Sequence, residues 1–176
     1  MKKNLILKLH KCFLKSSRSK KGFTLVELVV VIAIIAILAA IAIPVVSYTV
    51  RSSIISRAKT NASTIEYALK EADAAAKAKD NTKYANASAN TIKISDVVAS
   101  NKIAMAFTPE NLSGIYYYPV ICSGRVYFAC DTNGDNKFDT NDKDIEDNAL
   151  PGNAVVLYDK DSGSIVDKYI STLPIK

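Results

Sequence analysis

One apolar run in the sequence is long enough to cross a membrane. Residues 23–46 are apolar apart from Thr24 and Glu27. As an α-helix with a rise of ~1.5 Å per residue, this run would reach ~36 Å, and the hydrocarbon core of a bilayer is ~30 Å thick. Its many Val and Ile residues would also suit a strand, but the length of the run favours a helix. We therefore predict a membrane-spanning helix, with a kink at Pro44 because proline lacks an N–H donor.

The charges before this helix predict its orientation. Residues 1–22 contain eight Lys or Arg residues and no acid, and such a basic segment stays on the cytoplasmic side of a membrane. From residue 23 onward there are 15 basic and 17 acidic residues, so the sequence pI of about 9.1 comes from the first 22 residues. The rest of the chain has no basic stripe interleaved with aromatic residues, and we predict no nucleic-acid partner.

An ordinary secretory signal peptide is the alternative interpretation of this N-terminus. The sequence Ala40-Ile41-Ala42 even offers a small-x-small cleavage site. Two features oppose it. The apolar run exceeds the usual ~7–15 residues of such a signal. In addition, Glu27 is an ionisable group inside a membrane segment, which is costly and indicates a function.

The residues Lys20-Lys21-Gly22-Phe23-Thr24-Leu25-Val26-Glu27-Leu28, with the apolar run up to Pro44, resemble the processing site of type IV prepilins and pseudopilins. The resemblance implies that a prepilin peptidase cuts between Gly22 and Phe23, and that the new amine of Phe23 is N-methylated. It also implies that Glu27 meets this amine in a neighbouring subunit during assembly. A buried carboxylate is tolerable when it is paired with a cation in this way, and such a pair can specify register.

The resemblance implies a structural protein, a main subunit of a type IV pilus. The precursor would lie in the cytoplasmic membrane with its leader inside, and an assembly platform would build an extracellular helical homopolymer for adhesion, twitching motility or biofilm formation. One alternative is a pseudopilin of a type II secretion or DNA-uptake system. Another is a membrane-anchored calcium-binding surface protein that does not polymerise. We predict no enzyme and no required cofactor, since the sole histidine is His10 and there is neither a Gly-rich phosphate loop nor a CxxC pair.

The pattern after the apolar run predicts an α+β domain, and the resemblance implies that this domain has a type IV pilin-like fold. We predict a leader at 1–22, a hydrophobic helix at 23–46, an amphipathic continuation at 47–79, and a globular head at 80–176. The amphipathic part has an apolar stripe at three- and four-residue steps. It comprises Ile54, Ile55, Ala58, Ala62, Ile65, Leu69, Ala72 and Ala76.

The sequence of the head predicts an antiparallel sheet of about four strands that packs on the apolar stripe. Residues 80–90 are polar and predict a loop, whereas 91–104 allow a short strand at Ile92–Ile94 followed by a helical turn. Turns are expected at Ser123-Gly124 and at Asp161-Ser162-Gly163. The expected strands are Gly114–Cys122, Arg125–Cys130, Ala154–Asp159 and Ser164–Ile170.

An acidic segment in the head resembles a twelve-residue calcium loop of the dockerin type. Oxygen side chains occupy the ligand positions, and Lys137 would offer its backbone carbonyl. The predicted ligands are Asp131, Asn133, Asp135, Lys137, Asp139 and Asp142. Two departures from the pattern are Asn136 where glycine is usual and an Asp in place of Glu at the last position. The alternative is a solvated acidic turn, because Asp, Asn and Gly also form turns.

Two cysteines remain after residue 22, Cys122 and Cys130. If Ser123-Gly124 is a two-residue turn, Cys122 pairs near Arg125 and Cys130 lies opposite Tyr117, which separates the two sulfurs too far for a disulfide. We therefore favour two packed thiols. The tyrosines of this region are expected to pack in the sheet rather than to form a binding platform. They are Tyr116, Tyr117, Tyr118 and Tyr127.

Overall fold

The protein is described here by a computed structural model that covers residues 22–78, 83–84 and 91–175. The predicted leader lies outside these residues except for Gly22. The predicted loop at 80–90 also lies outside them, apart from Lys83 and Tyr84. The chain divides into two compact units between Val45 and Val46.

The first unit contains the apolar part of a long helix, α1, which spans Leu25–Ala78. The helix continues through Pro44, so the proline does not end it. Of the side chains between Phe23 and Val46, all except Ala39 are exposed. Among the described residues, α1 is the one helix that is long and apolar enough to cross a membrane by length and composition.

In the second unit, α1 buries one face against the rest of the domain. Ala58, Ile65 and Leu69 are at most 1% exposed. Ala72 and Ala76 continue the buried face, which confirms the apolar stripe that the three- and four-residue spacing predicts. The remaining stripe residues, Ile54, Ile55 and Ala62, are half-buried and pack against the same clusters.

The head is an antiparallel sheet with short helical segments before and after it. The helix α2 (Ile94–Asn101) and two 3-10 turns flank the strands. The strands are β1 (Glu110–Leu112), β2 (Ile115–Cys122), β3 (Arg125–Cys130), β4 (Lys143–Asp144), β5 (Val155–Val156), β6 (Tyr158–Asp159) and β7 (Ser164–Ile165). The main sheet has the order β1-β2-β3-β4, and β5 pairs with β2. The α+β class with a long helix on an antiparallel sheet is thus the observed fold.

The central hairpin forms as the sequence predicts. Cys122 pairs with Arg125, so Ser123 and Gly124 are the two turn residues. Both have positive φ, 50° and 78°, which is the combination that a tight two-residue turn between twisted strands requires. A second turn of this kind, at Ser113-Gly114, connects β1 to β2 and was not predicted.

Two of the predicted strands are wrong in extent. The predicted strand Ala154–Asp159 is interrupted at the fully buried Leu157, because β5 pairs with β2 whereas β6 pairs with β7 in a separate two-stranded sheet. The predicted strand Ser164–Ile170 ends at Ile165. Tyr169 then forms a single bridge to Lys93, and the chain turns into a 3-10 segment.

The segment between β3 and β5 covers part of the main sheet. Phe138 and Leu150 from this segment pack with Val120 and Ala129 of the sheet in one apolar cluster. Other sheet residues, such as Ile121 and Val126, pack with α1 in a different cluster. The acidic segment is therefore an integral layer of the head, anchored through its only aromatic side chain, and not a loose connection.

Candidate functional site

The predicted cleavage site lies just before the first turn of α1. A side chain added at Gly22 would meet no atom within 4 Å, and Phe23 is 87% exposed. Crowding among the residues that the structure describes therefore does not require a glycine at this position.

Glu27 closes a capping box with Thr24 at the start of α1. The Thr24 backbone N–H and hydroxyl both donate to Glu27 Oε2 at 2.9 Å, and the Glu27 N–H donates to the Thr24 hydroxyl oxygen at 3.2 Å. These bonds satisfy backbone donors that an α-helix leaves free at its N-terminus. This capping role was not predicted from the sequence, although the Thr-x-x-Glu spacing is its known signature.

The predicted calcium loop is held by hydrogen bonds from its own backbone. Asp131 accepts from the N–H groups of Gly134 and Asn136, at 2.7 and 2.9 Å. Asn136 has a φ of 61°, so it adopts the left-handed conformation at the position where calcium loops usually have glycine. The side chains of Asn133 and Asp135 accept from the N–H group two residues ahead, as turn-forming side chains do.

Asp142 joins the two ends of this loop. It is 1% exposed, and its two oxygens accept hydrogen bonds from the N–H groups of Thr132 and Asp139, at 2.7 and 3.0 Å. Asp139 in turn accepts from Asn141. The carboxylates are thus used in loop geometry, and within the described ranges no three His, Cys, Asp or Glu side chains form a group that could hold a metal. Calcium binding stays a prediction.

The two cysteines of the head are free thiols in the structure, Cys122 buried and Cys130 half-buried. The register of the β2–β3 hairpin puts Cys122 beside Arg125 at one end and continues toward Tyr117 and Cys130 at the other. Burial is the largest cause that raises the pKa of Tyr117, and its contact with Cys130 adds to this effect. The hairpin therefore separates the two sulfurs along its length.

An ion pair that the sequence did not predict, between an exposed arginine and a buried carboxylate, connects α1 to the edge strand β1. Glu110 is 5% exposed, and its carboxylate accepts two hydrogen bonds from Arg57. Arg57 Nε donates to Oε1 at 2.8 Å, and a terminal guanidinium nitrogen donates to Oε2. Asn61 adds a bond of 3.3 Å to Oε1. Hydrogen bonding to Glu110 raises the pKa of Arg57. The partners are 53 residues apart in the chain, so no local pattern could have indicated this contact.

The N-terminal segment is similar to a motif found in known proteins. Residues 17–43 match the family model of the prokaryotic N-terminal methylation motif. This is the class III signal motif of type IV pilins, and it covers Gly22, Phe23, Glu27 and most of the apolar part of α1. No curated protein and no solved structure matches the chain.

The motif indicates a class of protein. It supports a type IV pilin-like or pseudopilin-like protein, and such a motif is typical of a structural subunit. The motif implies processing by a prepilin peptidase, and the apolar helix behind it indicates a membrane-anchored precursor.

Proposed function

We propose that this protein is a main structural subunit of a type IV pilus, cut between Gly22 and Phe23 and assembled into a helical surface filament. The observation that carries the proposal is the coincidence of the methylation motif with a helix whose apolar side chains from Phe23 to Val46 are almost all exposed. So much apolar surface is unfavourable in water, and it requires lipid before assembly and neighbouring subunits afterwards.

Glu27 has one oxygen available for assembly. Oε2 is occupied by Thr24 in the capping box, whereas Oε1 has no hydrogen-bond partner among the described residues. Cleavage after Gly22 creates a positively charged amine at Phe23. We propose that Oε1 of one subunit pairs with this amine of the next, which would neutralise both charges inside the helical bundle and fix the axial register.

Repetition of this contact gives a fibre rather than a closed ring. The amine and the carboxylate are different surfaces, so the contact is head-to-tail, and a head-to-tail contact that does not close produces an open helix. Before assembly the subunits would be anchored in the cytoplasmic membrane, and an assembly platform would move them into the filament.

Mass spectrometry of the mature N-terminus tests the processing step. We expect a chain that begins with N-methylated Phe23. A chain that begins near Ile43 would indicate an ordinary secretory signal peptide and would contradict the proposal.

Three variants separate the capping role of Glu27 from its pairing role. Glu27→Gln keeps a capping acceptor but removes the charge, Thr24→Ala removes the capping partner but keeps the charge, and Glu27→Val removes both. Immunogold labelling of surface filaments is the readout. We expect Thr24→Ala to retain filaments and both Glu27 variants to lose them.

The same images distinguish the alternative functions. Labelled subunits along long external filaments support a pilin. Short stubs confined to the envelope favour a pseudopilin. If no fibre forms in the parent chain and Glu27→Val changes nothing, the protein does not polymerise and an anchored surface protein is the better description.

A further inference from the structure

A groove in the head is lined by residues that take no part in the proposed assembly contact of Glu27 and Phe23. It is about 920 Å³ in volume and is bordered by the exposed end of β2, the start of the acidic loop and the β6–β7 hairpin. Its size falls in the range of sites that bind small molecules or short segments of partners, ~300–1,000 Å³. The groove belongs entirely to the second unit.

Three tyrosines line this groove. Tyr116 is 55% exposed, and the rings of Tyr118 and Tyr158 lie 6.3 Å apart at an angle of 31°. The Tyr158 hydroxyl donates to the carbonyl of Gly163 at 2.7 Å, which fixes this ring on the hairpin. The sequence predicted sheet packing for Tyr116 and Tyr118. Tyr118 does pack against the sheet cluster, but Tyr116 is largely open to solvent.

The carboxylates around the tyrosines keep a net negative charge. Asp131 and Asp159 accept hydrogen bonds only from neutral groups, namely backbone N–H groups and the hydroxyl of Ser162. The Asp161 carboxylate has no hydrogen bond or ion pair with any residue that the structure describes. The cation in the groove, Lys160, is bound to the neutral side chain of Asn136.

A fourth carboxylate in the groove is already neutralised. Asp167 pairs with Lys93 at 2.6 Å. The three other aspartates share the groove with one lysine, so the groove presents negative charge next to the exposed Tyr116 and the half-buried Tyr118 and Tyr158. This combination attracts cations in two ways, by charge and by the electron-rich ring faces.

We infer that the groove binds a basic segment of a partner protein, with lysine or arginine side chains lying against the tyrosines and between the aspartates. An anionic partner would be repelled. A neutral glycan could stack on the rings but would make no use of the charge. A metal ion alone would not need the aromatic lining. The inference does not depend on filament assembly.

The test is a binding measurement on the full mature chain in zwitterionic detergent with EDTA present, so that divalent cations do not contribute. The probes are two labelled decapeptides, one of alternating Lys and Ser and one of alternating Glu and Ser, followed by fluorescence anisotropy. We expect saturable binding of the basic peptide that weakens with salt, and none of the acidic peptide.

Matched variants place the binding in the groove. Tyr116→Ala and Asp161→Asn should each weaken the basic peptide about two- to fivefold, the usual size of one exposed cation–π or charge contact. Tyr67→Ala and Asp73→Asn are the controls, because both residues lie on α1 outside the groove. These two substitutions remove the same groups as the groove variants, a tyrosine ring and one negative charge. We expect the controls to bind like the parent.

Three results would overturn the inference. One is no binding of the basic peptide to the parent chain. Another is equal weakening by the groove variants and their controls, which would mean that only the net charge of the protein matters. The third is binding of a neutral oligosaccharide that Tyr116→Ala abolishes while the basic peptide does not bind, which would assign the groove to glycans.

Discussion

The ion pair between Arg57 and Glu110 allows an asymmetric prediction about stability. The side chain of Glu110 is 6% exposed, whereas that of Arg57 is 62% exposed. Arg57→Ala would leave a buried carboxylate with Asn61 as its remaining partner. Because water can reach the vacated position, we expect a smaller loss than the ~3–5 kcal/mol of a fully buried pair, about 2–3 kcal/mol in the free energy of unfolding.

Substitution of the carboxylate partner should lower the free energy of unfolding by a smaller amount. Glu110→Gln keeps the shape of the side chain and one acceptor, and it leaves Arg57 with its charge already in contact with water. We expect a loss of about 1 kcal/mol. The matched control is Lys59→Ala, two residues further along α1, whose pair with Glu146 is exposed on both sides and should contribute less than about 0.5 kcal/mol.

Urea denaturation of a soluble fragment of residues 46–176, followed by circular dichroism, measures these three losses. Helix propensity does not produce the expected order, since alanine is at least as favourable in a helix as arginine or lysine. If Arg57→Ala and Lys59→Ala destabilise the fragment equally, the Glu110 carboxylate is hydrated in the folded state and the reasoning from burial is refuted.

Three further predictions concern the head. Gly124→Ala should cost about 1 kcal/mol because of its φ of 78°, whereas Gly152→Ala, which meets only an ordinary contact at 3.7 Å, should be tolerated in the same urea assay. Calcium at about 10 mM should stabilise the fragment by ~1.4 kcal/mol if its Kd is ~1 mM. If titration calorimetry detects no heat of calcium binding and Asp135→Ala does not change the stability of the fragment, the segment is a turn and not a calcium site. Hydrogen bonds from lysine ammonium groups lower the pKa of Asp147 and of Asp167 below 3.8. The contribution of these two ion pairs to the free energy of unfolding is therefore present at neutral pH and is lost as the pH falls through the lowered pKa values. The urea midpoint should decline in this acidic range, and a flat profile would contradict the prediction.

Local patterns predicted the parts of the fold that depend on neighbours in the chain. The apolar period specified the buried face of α1, and Ser123-Gly124 specified the central hairpin, because both signals concern residues within a few positions of each other. The motif around Gly22 and Phe23 is equally local. The same segment also contains the Thr-x-x-Glu capping signature, so the capping role of Glu27 was within reach of a local pattern.

The features that the sequence did not predict depend on distant partners. Glu110 is buried because Arg57 reaches it across 53 positions, and the two-residue strand β4 exists because it lies beside the end of β3. The predicted strand Ala154–Asp159 looks continuous in sequence, but its halves have different partners. A single sequence does not show which strands meet when no short turn joins them, and this limits the prediction of strand extents and edges.

The interruption at Leu157 couples the two sheets of the head. The N–H of Leu157 donates to the carbonyl of Pro119 in the main sheet, and its carbonyl accepts from Val166 beyond the small hairpin. A slip of one residue in either sheet would therefore turn Leu157 out of the core and misalign the other sheet as well. The register of the C-terminal hairpin is therefore tied through Leu157 to the strand β2.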